Sequence, residues 1–145
     1  MLDAWSRLIV GYAIGRSIDA RLTVAALKAA IDRRKPPPGV VHHSDRGSQY
    51  AAERYRDTLA ANGLIGSMGR CGKSLRQRQG RKLHENAEGR GGLSDALRNL
   101  EEITEHLPHF IEEVYNKRWL HSALGYLSPQ QFEDQHIRQT GKSAA

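Results

Sequence analysis

The chain is short of several things. It has one cysteine, Cys71, and only 6% aromatic side chains in 145 residues. A single cysteine makes no internal disulfide, which fits a reducing compartment and a cytoplasmic protein. No stretch approaches the ~20 consecutive apolar residues of a membrane span, so no membrane association is expected. The opening "MLDAWSRLIVGYAIG" places no basic residues ahead of its short apolar run, unlike a secretory signal. Internal repeats are absent, and "GRGG" near Gly89 lacks the Lys-Ser/Thr ending of a phosphate loop. What remains is enough for one domain with a core, since 39% of the residues are hydrophobic.

Charge is plentiful but uneven. The net charge is +6, which on its own points toward nucleic acid. Between Arg70 and Arg98 there are eight Lys/Arg against three acids, leaving fourteen basic and thirteen acidic residues elsewhere. The excess therefore sits in one window. That window, "GRCGKSLRQRQGRKLHENAEGRGGLSDALRN", contains no aromatic residue and only scattered apolar ones. Its composition reads locally as loop.

The flanking segments are patterned. Residues 7–14, "RLIVGYAI", predict a buried strand. Asp19 is placed to cap a helix over "ARLTVAALKAAIDRR", with Leu22, Ala25, Ala26, Ala29 and Ile31 on its apolar side, and "KPPPG" ends it. "VVHHS" at 40–44 and "LIGSM" at 64–68 predict short strands around a helix from about Gln49 to Asn62, closed by Gly63. This alternation predicts an α/β fold with parallel pairing of the later strands. From about Leu100, Ile103, Leu107, Phe110, Ile111 and Val114 fall at helical spacing, with Pro108 as a start or kink. Ser128 is placed to cap a short helix from Pro129, and a frayed polar tail is expected from His136. The division expected is 1–69, a basic irregular 70–99, a helical 100–135, and a disordered 136–145.

Asp45 follows the strand "VVHHS" and precedes the turn "RGS". It is either a turn aspartate accepting backbone N–H bonds or a carboxylate displayed at the carboxyl edge of a sheet. His42 and His43 alternate across that strand, so they cannot both face one metal.

Two blocks, "HHSDRGSQY" and "YNKRWLHSALGYLSPQQFE", resemble the integrase-type catalytic domain of bacterial insertion-sequence transposases. "LDAWSRLIVGYAI" resembles a third block of that domain, in the right order, and the resemblance covers about 2–70 and 101–134. It implies a ribonuclease-H-like α/β fold with a mixed sheet, and an Asp, Asp, Glu triad holding two Mg²⁺ ions for DNA cleavage and strand transfer. Two metals ~4 Å apart stabilise both the attacking and leaving oxygens, and hard oxygen ligands suit Mg²⁺. By this resemblance Asp45 is the second triad member and a metal ligand. Lys117, Arg118 and His121 lie where DNA phosphates would pass, or else form a solvated helix end. Trp119 and Tyr126 are expected to pack rather than to serve as base-stacking platforms, and Phe110 and Tyr115 to face the core.

The other two carboxylates have no match. The family's first Asp lies on a strand upstream of "LDAWSR", so that strand is expected to be missing here, leaving an exposed sheet edge. Asp3 matches a different family aspartate. The family's Glu belongs to a motif like Y-D-N-A-x-x-E-S-F, and this chain has "KSLRQRQGRKLHENAEG" in that place. Glu85 and Glu88 lie nearby without the motif, and neither takes the role. Permitted codons for Lys73 to Asn86, read one base later, spell N-P-Y-D-N-A-K-A-E-S-F-M-K. Residues 73 to about 99 are therefore expected to be an out-of-frame relic of a disrupted catalytic helix, with a genuine basic insertion as the alternative. The expectation is a degenerate, inactive transposase core whose partners are DNA and a second copy or an intact transposase. The alternative is a non-enzymatic, basic DNA-binding fragment that could poison an intact relative.

Overall fold

The computed structural model describes residues 1–69 and 100–143. Helix α1 spans Ala20–Arg34, β1 Val41–Ser44, α2 Ser48–Ala51, α3 Glu53–Ala61 and β2 Ile65–Met68. Helix α4 spans Leu100–His109 and runs through a π-helical turn, Phe110–Tyr115, into α5, Asn116–Arg118. A 3₁₀ turn at Ser122–Leu124 precedes α6, Pro129–Ser143.

Local chemistry sets most of these boundaries. Asp19 caps α1 by accepting the Leu22 N–H at 3.0 Å. Gly63, at φ 68°, ends α3. The Leu64 N–H reaches the Leu59 carbonyl and the Gly63 N–H reaches Ala60, a Schellman ending that supports the C′ glycine. β1 and β2 pair in parallel, Val41 opposite Ile65 and Ser44 opposite Met68. Ser128 and Gln131 cap each other reciprocally at the start of α6.

Four expectations need revising. Residues 7–14 form no strand. Leu8 and Val10 are buried as expected, but the segment's bridge is to Leu2, from Ile9, and a strand needs a longer partner. Gly11 instead lets the backbone lie directly on α1, where an added Cβ would come within 2.5 Å of the Ala26 carbonyl. The buried side of α1 is Thr23, Val24, Leu27 and Ala30, not the side carrying Ala25 and Ala29, which are exposed. The helix expected from Gln49 to Asn62 is broken at Ala52, whose ψ of 137° is extended. In one continuous helix Tyr50 and Tyr55 would point about 140° apart. The break lets them meet edge to face at 5.3 Å. Finally, α6 continues to Ser143, past the boundary where a disordered tail was expected. The His136 ring packs edge-on against Trp5 at 4.8 Å and anchors this extension.

Two small clusters make the core. Val24, Leu27, Tyr55 and Leu59 form one, and Leu8, Val10 and Ala30 the other, with Met1 packed against both. The paired Val41 and Ile65 side chains are exposed on the outer face of the strands. Among the described residues the ladder is parallel, and antiparallel pairing is confined to two isolated bridges. No described helix is long and apolar enough to cross a membrane.

The C-terminal elements are fastened to the N-terminal ones by polar links. Pro108 has no N–H to give the preceding turn, and a π-helical turn follows it at once. The Asn116 N–H then bonds five residues back, to Ile111. The shifted register buries Ile111, Tyr115 and Asn116. The Asn116 side chain accepts from the Ile9 N–H at 2.9 Å and donates to the Ile9 carbonyl at 3.1 Å. Arg34 binds both oxygens of Glu133, the Ser6 hydroxyl at 3.2 Å and the Asp3 carboxylate at 3.0 Å. Arg33 makes a two-pronged pair with Glu112 at 2.7 and 3.1 Å.

Removing the Asn116 amide leaves both polar groups of Ile9, in a part-buried setting, without these partners. Asn116→Ala is expected to cost about 2–4 kcal/mol, read by urea unfolding. The Glu133 pair gives a pH signature. Burial alone would raise the Glu133 carboxyl, but its bonds to Arg34 and Ser6 outweigh that and hold it below the ordinary glutamate range. A depressed folded value means the stabilisation is complete above that range and is lost as pH falls through the depressed one. Glu133→Gln is expected to flatten this acid limb and to cost about 2 kcal/mol at neutral pH, less than a fully buried pair because Arg34 is partly exposed. Unfolding curves at neutral pH and at about pH 4 check it.

Candidate functional site

Parallel strands end on the same side, so β1 and β2 present their carboxyl ends together. The Gly69 N–H bonds the Ser44 carbonyl at 3.1 Å, and the Arg46 guanidinium bonds the Gly69 carbonyl at 3.1 Å. Asp45 sits exposed on this edge, one residue past β1. Its Oδ1 accepts the Gly47 N–H at 2.8 Å, closing an Asx turn. Both readings of Asp45 thus describe the same atoms: it makes the turn, and it lies at the carboxyl edge of the sheet.

His42 and His43 alternate as expected. His42 turns inward, half-buried, with its Nε2 2.8 Å from the Tyr55 hydroxyl. Burial, His43 and the chain's amino terminus together lower the His42 pKa. Burial, with Tyr50 beside it, pushes the Tyr55 hydroxyl well above the ordinary tyrosine range. The pair is neutral at physiological pH and ties β1 to α3. His43 is exposed on the opposite side.

The other predicted contact residues belong to a second location. Lys117 lies on α5 and pairs with Glu113 at 2.6 Å, while Arg118 is exposed beside it. The His121 ring rests edge-on against Tyr115 at 5.4 Å. Its Nε2 is buried without a partner, and burial and the nearby Arg7 charge lower its pKa. Phe110 and Tyr115 both stack against Trp119, so these three pack as expected. Tyr126 does not: it is 72% exposed. Arg7, at φ 63° just after the Asp3–Ser6 turn, was not foreseen as part of this surface. Asp3 is structural, accepting the Trp5 and Ser6 N–H groups and pairing with Arg34.

A pair of divalent ions needs several oxygen donors aimed at one point. Among the described residues no three His, Cys, Asp or Glu side chains converge, and Asp45 already spends one oxygen on its turn. These residues do not fit a two-metal site. Glu85, Glu88 and the segment read as out of frame lie outside the described residues.

Residues 1–74 match the family model described as integrase core domain. The chain is 34% identical over 134 residues to the insertion element IS600 uncharacterized 31 kDa protein of Shigella sonnei, covering 92% of this chain and 49% of that one. It is 32% identical over 133 residues to the transposase for insertion sequence element IS904 of Lactococcus lactis, covering 91% and 52%. Against the transposase InsF for insertion sequence IS3A of Escherichia coli it is 31% identical over 137 residues, covering 94% and 48%. The chain thus spans about half the length of these relatives.

Proposed function

Because the chain belongs to the integrase core domain family, we propose that it is the catalytic-core portion of an insertion-sequence transposase, unable to cleave DNA by itself. The family's work is DNA integration and recombination, with divalent metal supplying the electrostatic stabilisation of phosphodiester chemistry. The observation that carries the proposal is the family match across the segment that places Asp45 at the carboxyl edge of a parallel strand pair. In this reading Asp45 is the surviving catalytic and metal-binding carboxylate. Lys117, Arg118 and His121 contact DNA, and the protein acts in the cytoplasm, where its other partner is a second copy or an intact transposase. We infer the inactivity from the donors among the described residues, where no three His, Cys, Asp or Glu side chains converge and one exposed carboxylate holds at most one Mg²⁺ weakly.

The basic window at 70–98 favours a second reading, a fragment that binds DNA without chemistry. That reading treats the window as a genuine insertion. The first treats it as an out-of-frame relic, and the gene's nucleotide sequence through codon 101 separates them.

A supercoiled-plasmid nicking assay with Mg²⁺ or Mn²⁺ tests the inactivity. The expected outcome is no nicking above the metal blank. Metal-dependent nicking that disappears in Asp45→Asn would overturn it. That variant keeps the turn, because the amide oxygen still accepts from Gly47.

A further inference from the structure

The loop after α5 carries a tyrosine in an unusual state. His121 and Leu127 form an antiparallel bridge. The His121 carbonyl accepts the Leu124 and Tyr126 N–H groups, at 3.0 and 2.9 Å. The chain turns at Gly125, φ 68°, and again at Tyr126, φ 61°. Glycine takes that left-handed backbone without cost, whereas a large side chain there is an outlier. Burial does not compensate, since Tyr126 is 72% exposed. Leu120, at the loop's other end, is 55% exposed. The turn would form more cheaply with glycine or asparagine, so the phenol ring is not there for the fold.

The surroundings are cationic. Arg7 comes close enough to lower the His121 pKa. Arg118 is exposed at the end of α5. The nearby acid Glu113 is neutralised by Lys117, and Glu112 is held by Arg33. An exposed aromatic side chain on the loop that follows Arg118, bonded through its backbone to His121, on which the Arg7 charge acts, suits a strand whose phosphates meet the cations and whose bases are open to stacking. A paired duplex keeps its base faces covered and offers only the phosphates.

Resting on the DNA-handling function proposed above, we propose that Tyr126 is a base-stacking residue for unpaired DNA, with Arg7 and Arg118 binding the neighbouring phosphates. The site is specific for single-stranded or frayed ends rather than for duplex.

The full chain is titrated with a fluorescent oligothymidine of about 20 nucleotides and with a duplex of equal length, at low salt. Tyr126→Ala is expected to weaken single-strand binding about tenfold, with duplex binding nearly unchanged and Tyr126→Trp close to the parent. Tyr126→Gly, which suits the left-handed backbone, is expected to lose the same affinity with Tm unchanged or raised. If Tyr126→Gly lowers Tm together with affinity, the ring is structural and the proposal fails. If Tyr126→Ala binds like the parent while Arg7→Ala and Arg118→Ala bind less, the stacking role fails and DNA handling stands. If the parent binds neither oligonucleotide, both fail.

Discussion

The architecture depends on one side-chain amide. Asn116, 1% exposed, meets both the N–H and the carbonyl of Ile9 across 107 residues of sequence. An amide offers one acceptor and one donor in the spacing of a peptide group, so it pairs with Ile9 as a neighbouring strand would. Ile9 lies between Leu8 and Val10, which are buried in the core, and its polar groups meet Asn116 in a part-buried setting. Leaving them unpaired costs more than the bonds gain, and that asymmetry makes the clasp decisive. It also explains the π-helical turn. A helix distorted after Pro108 spends regular hydrogen bonding to aim Asn116 at Ile9, and Trp119 likewise bonds five residues back, to Val114.

The contacts proposed around α5 depend on this clasp. It fastens Ile9 to α5, and the charge of Arg7, two residues before Ile9, acts on both Tyr115 and His121. The charged links work in the same direction. Arg34 gathers Asp3, Ser6 and Glu133, and Glu133 lies on the helix whose Phe132 packs against Trp5 at 5.1 Å. Asp45 is positioned separately, by the parallel ladder and the Gly69 bonds. The residues proposed to act therefore lie in two places, Asp45 at the strand ends and the cations around α5. No hydrogen bond or ion pair described above joins them.

The sequence exposed what is decided within a few residues. Asp19 and Ser128 cap their own helices, and the Pro36–Pro38 run and Gly63 act on the backbone where they stand, so the ends of α1 and α3 and the start of α6 were readable from them. The strands expected at 40–44 and 64–68 and their parallel pairing were readable from the alternation of strand and helix, and the place of Asp45 from its position just past the first of them. Decisions made by distant partners were not. The break at Ala52 serves Tyr50 and Tyr55, and nothing in "SQYAAERY" marks it. The buried side of α1 is chosen by Gly11 lying on Ala26 and Ala30, because an alanine-rich helix has no strong apolar side of its own. Residues 7–14 have strand composition but lack a long partner among the described residues. Tyr126 was read as packing because aromatics usually pack, and a positive φ at a non-glycine residue leaves no compositional trace.

The same links bear on the basic segment. Residues 70–99 lie between β2 and α4 in the chain. Among the described residues, long-range contacts of α4 to α6 run to residues 3–34: Ile9 to Asn116, Arg33 to Glu112, Arg34 to Glu133 and Trp5 to Phe132. A bond between two distant residues needs both of those residues and no particular residue between them. A catalytic carboxylate is the opposite case, because its value lies in which atom stands beside Asp45, and no distant bond replaces it. A shifted reading frame in this window would change the side chains at 70–99 and leave both partners of each of these bonds as they are, with Asp45 at the strand end and no group of three His, Cys, Asp or Glu side chains able to hold a metal among the described residues.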